Sequence, residues 1–94
     1  MTRAERIAER LERELGAVHV AVEDESHRHA GHAGAASGGG HFRATIVSER
    51  FAGLSRLAAQ RLVYAALGEL MSSEIHAIAM TTYTPAEWRA KADG

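Results

Sequence analysis

The chain has 94 residues and a formal net charge of -1, a length that suits one domain with one core. Hydrophobic residues make up 46% and charged residues 24%, which excludes wholesale disorder. With zero cysteines, the chain cannot form disulfides, offer a thiolate nucleophile or hold a cysteine-ligated cluster alone.

No apolar run is long enough to span a bilayer. Met1-Thr2-Arg3-Ala4-Glu5 lacks the apolar stretch of a secretory signal, so cytoplasmic residence is the expectation. The near-neutral charge lacks the strongly basic signature of a dedicated nucleic-acid binder.

Residues 2–15 read as a helix. Thr2 and Glu5 have capping-box spacing. Ala4, Ile7, Ala8, Leu11 and Leu15 form one apolar stripe, and Gly16 is a natural stop. The remaining faces alternate arginine and glutamate, the pattern of a solvated surface. Val18, Val20 and Val22 then alternate with His19, Ala21 and Glu23 as in a half-buried strand.

Residues 26–40, SHRHAGHAGAASGGG, form a Gly/Ala/His-rich loop, long for so small a domain and expected to be flexible and functional. His41 opens a second strand, with Phe42, Ala44 and Ile46 on one face. A helix is predicted from Leu54 to Met71, its apolar face formed by Leu54, Leu57, Ala58, Leu62, Ala65, Ala66 and Leu70. Residues 75–82 alternate again as a third strand. Thr84-Pro85-Ala86-Glu87 is a second capping box, with proline at the first helical position and Trp88 anchoring a terminal helix.

This order makes an α+β domain over residues 1–94, a three-stranded mixed sheet with helices on one face. Strands one and two pair antiparallel, and the helical crossover allows strand three to lie parallel to strand two. Parallel neighbours start at the same end of a sheet. His76 is therefore expected beside the loop that carries His27, His29 and His32.

Clustered imidazoles suit borderline metals, although the spacing matches neither HExxH nor paired cysteines. His76 shares parity with Ile78 and Met80, so a histidine at the edge of the core and a metal ligand are both open readings. Single loop histidines more often are solvated.

Asp24, Ser26 and His27 contain triad residue types, but neighbours in sequence rarely make that geometry. A turn closed by Asp24 and Ser26 fits better. Gly31-His32-Ala33-Gly34 has the GxxG form of an RNA-clamping loop, but stands between strands rather than helices. Arg50, Arg56 and Arg61 could form a basic patch, with Glu49, Glu69 and Glu74 close in sequence.

Over nearly its whole length the chain resembles the BolA family. The resemblance rests on Asp24-Glu25-Ser26 with His29, His41-Phe42, and Ile46-Val47-Ser48 with Phe51 and Gly53. It continues through Arg61, Val63-Tyr64, Leu67, His76-Ala77 and Thr84-Pro85-Ala86-Glu87-Trp88.

The resemblance implies an αββαβα fold of class II KH type and no enzymatic activity. It implies a partner, a monothiol glutaredoxin, and a 2Fe–2S cluster shared with that protein and glutathione, for cluster maturation, trafficking or iron sensing. The family's ligand histidine falls on His76. The second ligand falls on His29, with His27 and His32 as alternates. DNA-binding regulation by residues 54–82 is the alternative role, with Arg61 and Tyr64 as partner or nucleic-acid contacts. The family's Arg-His-Arg triplet in the long helix is Ala59-Gln60-Arg61 here, which reduces any contact it makes. Monomer and weak homodimer both remain open.

Overall fold

The structure, a computed structural model, describes the backbone of residues 1–29 and 39–93, and their side chains apart from Arg28 and His29. Helix α1 (Arg3–Leu15) starts in a full capping box. The Thr2 hydroxyl accepts from Glu5 N at 3.1 Å, and the Glu5 carboxylate accepts from Thr2 N at 2.7 Å. It ends where Gly16 takes φ 57°, a left-handed conformation that favours glycine.

Strand β1 (His19–Asp24), a 3-10 turn (Ser26–His29), strand β2 (Gly40–Val47) and a second 3-10 turn (Glu49–Phe51) follow. Helix α2 (Arg56–Leu67), the single turn α3 (Leu70–Ser73), strand β3 (Ile75–Tyr83) and helix α4 (Pro85–Asp93) complete the chain.

The sheet runs β1-β2-β3, with β1 antiparallel and β3 parallel to the central β2, as the sequence predicts. Alternation along β2 buries Phe42, Ala44 and Ile46. Val20 and Val22 of β1 and Ile78 and Met80 of β3 join them by register. Ile7, Leu11 and Leu15 of α1, and Ala59, Val63, Ala66 and Leu67 of α2, close the core on this face. Each fully buried leucine or isoleucine contributes about 1.5–3 kcal/mol over its exposed state.

Helix α4 reaches the other face. Its Trp88 ring stacks on His19 at 5.0 Å and meets Tyr83 at 5.2 Å. Trp88 is the anchor expected of it, and it lies at the far end of the sheet from Gly40.

The long helix differs from expectation. Ser55 caps it, its hydroxyl accepting from Ala58 N at 3.1 Å, and Gly68 at φ 52° ends it. The inward face is Ala59, Val63, Ala66 and Leu67. Leu54 and Leu57, expected in the core, are 42% and 55% exposed.

The arginine face of α1 also proves to be more than a solvated surface. Arg3 and Arg6 both bind Glu74, at 2.8 and 2.9 Å. Arg10 binds Glu69 and donates to the carbonyl of Leu67 at 3.0 Å. Three successive turns of α1 therefore grip the connection between α2 and β3. The Arg10 hydrogen bond holds the Glu69 carboxyl below its ordinary pKa.

Ser48 fastens the far end. It is fully buried; its hydroxyl donates to the carbonyl of Leu15 at 2.6 Å and accepts from Arg50 N at 3.1 Å. Its own N–H donates to the carbonyl of Tyr83 at 2.9 Å. One residue thus joins the ends of α1, β2 and β3. Ser48→Ala leaves the Leu15 carbonyl buried without its donor, a loss of about 1–3 kcal/mol. Urea titration of the variant should show a lower midpoint at an unchanged slope.

Candidate functional site

The parallel pairing brings the first residues of β2 and β3 to one corner. Gly40 pairs with Ile75, but His41 pairs with Ala77. His76 is thus an extra residue on β3, a bulge that resets the alternation. Ile75 takes the buried position, and His76 turns outward and is exposed. This corrects the expectation that His76 could sit at the edge of the core on the face of Ile78 and Met80. Strand parity does not carry across a bulge.

The His76 ring stands 5.0 Å from the half-buried His41 ring, tilted by 44°. The sequence reading did not include His41 among the candidates. The same crossover argument that places His76 at this corner would have found it.

The return of the loop is packed rather than slack. A Cβ on Gly39 would lie 2.8 Å from His76 N and 2.9 Å from its Cβ. One on Gly40 would lie 2.7 Å from the Phe42 ring and 2.9 Å from Ser26 Oγ. Gly40 N donates to the carbonyl of Glu74 at 3.1 Å. Close approach therefore demands glycine at both positions, and Gly40 already belongs to β2.

The outgoing end is tied to the same corner. Asp24 Oδ1 accepts from Ser26 N at 2.9 Å, Ser26 Oγ accepts from His41 N at 3.1 Å, and Glu25 N donates to the His41 carbonyl at 2.8 Å. Asp24 and Ser26 close a turn, as expected, and are not arranged as a triad. Hydrogen bonds from the Ser26 hydroxyl and N–H hold the Asp24 carboxyl below its usual range. The folded state thus favours the carboxylate. Its contribution is complete above the ordinary aspartate pKa and lost as pH falls through the lowered one.

His27 is exposed, and His29 ends the 3-10 turn fastened to His41. His32 and the GxxG string lie outside the described residues. Among the described residues no group of three or more histidines and carboxylates is placed to hold a metal ion. The described part of the corner offers an outward imidazole at His76, backed by His41, but no complete coordination shell.

Arg61 and Tyr64 are both exposed on α2. Of the three acidic neighbours expected to offset a basic patch, Glu69 and Glu74 are bound by α1, and Glu49 is exposed.

A family model described as BolA-like protein matches residues 11–87. The chain is 42% identical over 89 residues to the DNA-binding transcriptional regulator BolA of Escherichia coli, covering 95% of this chain and 82% of that protein. It is 42% identical over 91 residues to SufE-like protein 1, chloroplastic/mitochondrial, of Arabidopsis thaliana, covering 92% of this chain but only 24% of that protein. It thus spans about a quarter of that relative. The solved BolA domain of SufE1 from Arabidopsis thaliana matches with a TM-score of 0.79 at 42% identity, covering 93% of this chain and 96% of that one. The fold, the matched segment and these relatives agree: the chain belongs to the BolA-like family.

Proposed function

We propose that this protein is a partner of a monothiol glutaredoxin and shares with it a bridging 2Fe–2S cluster, in cluster maturation, trafficking or iron sensing. The observation that carries the reading is His76: a bulge turns it out of the sheet, beside His41 and the return of the histidine-rich loop. The donor chemistry fits. The chain has no cysteine, so its contribution is imidazole, from His76 and one loop histidine, His29 or its alternates His27 and His32. Thiolates come from the partner and glutathione.

Histidine in place of thiolate raises the reduction potential of such a cluster. Imidazole ligands bind a metal in their neutral form, which makes histidine-ligated sites acid-labile. Gly39 lies close against the backbone and Cβ of His76. This is the role of a binding protein rather than an enzyme. Among the described residues no helix is long and apolar enough to cross a membrane, and cytoplasmic residence is part of the proposal.

A second reading, DNA-binding regulation, has its own support. The Escherichia coli relative is named a DNA-binding transcriptional regulator. Arg56 and Arg61 are exposed on α2, and Glu69 and Glu74 are engaged by α1 instead of offsetting them. It ranks second because the net charge is -1 and Ala59-Gln60 stand where the family carries Arg-His. Under this reading Arg61→Ala lowers the salt slope of DNA binding by about one. Absence of DNA binding at low salt in a fluorescence titration rejects it.

The deciding experiment mixes the protein with a monothiol glutaredoxin carrying its glutathione-ligated cluster and records visible absorption and circular dichroism. A new spectrum is expected with the wild type and is lost in His76→Ala. That variant keeps its thermal melt, because His76 is exposed. An unchanged spectrum in His76→Ala refutes the ligand assignment. Gly39→Ala, which forces a methyl against His76, should bind the cluster several-fold more weakly while its far-UV spectrum stays native.

A further inference from the structure

A histidine that ligates a metal is ordinarily oriented by a hydrogen bond to its second ring nitrogen. Among the described residues nothing hydrogen-bonds the His76 ring, whose neighbour is the tilted ring of His41. That leaves the backbone to present the imidazole. His76 is the extra residue of a bulge, and a bulged residue has no ladder partner of its own. It is held only as firmly as the residues beside it.

Glu74, two positions ahead, is where the holding contacts converge. Its side chain is 21% exposed and accepts from Arg3 Nε at 2.8 Å and Arg6 Nη2 at 2.9 Å. Its N–H donates to the carbonyl of Leu70 at 2.9 Å, and its carbonyl accepts from Gly40 N at 3.1 Å. Gly39, next to Gly40, lies close against the backbone nitrogen and Cβ of His76. The side chain of Glu74 is thus bound to α1, while its backbone is bound to the return of the loop.

We propose that Glu74 is a positioning residue for His76: Arg3 and Arg6 hold its carboxylate, and the held residue keeps in place the bulge that presents the imidazole. This rests on the reading of His76 as a cluster ligand. Half-exposed ion pairs add little to global stability. A ligand side chain, by contrast, must be held within about 0.5 Å of its productive place. The same contacts therefore weigh little in unfolding and much at the site. Arg10 supplies the comparison within the same helix. It binds Glu69 and the carbonyl of Leu67, so it fastens the end of α2, ahead of α3 and Glu74. Losing Arg10 loosens the crossover without releasing the bulge.

The test titrates the whole chain with a monothiol glutaredoxin carrying its glutathione-ligated cluster, followed by visible circular dichroism. Glu74→Gln, and separately the double variant Arg3→Gln/Arg6→Gln, should bind the shared cluster about ten-fold more weakly, the lower end for residues behind a metal ligand. All three substitutions together should bind no more weakly than either set, because both remove the same interaction. Arg10→Gln should bind like the wild type, although its thermal midpoint falls at least as far. Wild-type affinity in Glu74→Gln, additive losses, or an equal loss in Arg10→Gln would each overturn the proposal. Proton resonances of the cluster-free protein give an answer apart from glutaredoxin. Arg3→Gln/Arg6→Gln changes nothing near His76 in sequence, yet it should shift the Gly40 amide and the His76 ring, and Arg10→Gln should not. If those resonances stay in place, the proposal falls whatever the cluster does. If they move but the wild type forms no shared spectrum, the placement by Glu74 stands and the cluster reading falls.

Discussion

Two parallel strands cannot be joined by a tight turn, so the chain leaving β2 at Val47 must travel the length of the sheet before β3 begins at Ile75. That requirement organises the rest of the molecule. It supplies α2 as cover for the core and brings the ends of both strands together at Ser48. It also puts their beginnings at the corner where His41 and His76 meet. The chemistry of that corner is a result of topology, because His41 and His76 are far apart in sequence and adjacent only through the pairing.

The crossover needs a firm hold where it turns back, and α1 provides it. Arg3, Arg6 and Arg10 lie on successive turns and reach Glu74, Glu69 and the last carbonyl of α2. Isolated surface ion pairs contribute little. Here two arginines share the half-buried Glu74, the residue immediately before β3. Their effect is to place the first residue of the strand and, one step later, the histidine bulge. The mixed charge of α1 thus belongs to the architecture of the site, although it touches no ligand.

Much of the fold was legible in the sequence because it rests on local rules. Both capping boxes, the Gly16 stop, the alternation in β2 and the parallel pairing follow from residue spacing. The misreadings have physical causes. Leu54 and Leu57 fit a helical apolar pattern but face solvent, and patterning alone does not tell an exposed leucine from a buried one. Hydrophobic periodicity runs straight across Ser55 and Gly68, the residues that bound α2. The parity that groups His76 with Ile78 and Met80 fails where the register slips by one residue, which removes the core-edge reading and leaves the ligand reading open. The arginine contacts join residues distant in sequence and have no local signature. At the site, His76 and the turn carrying His29 were legible from topology, whereas His41 was passed over as an ordinary strand residue.

Ser48 and Trp88 secure one end of the sheet, and the histidines occupy the other. Six strand steps separate His41 from Val47, about 20 Å. All three strands run between the two ends, but the side chains that fasten one end are not those that shape the other. Sequence between His29 and Gly39 can therefore drift in length and composition while the folding determinants at the other end stay untouched. Such a domain can acquire new recognition properties at little cost to its integrity, because Ser48 and Trp88 hold the fold from the opposite end.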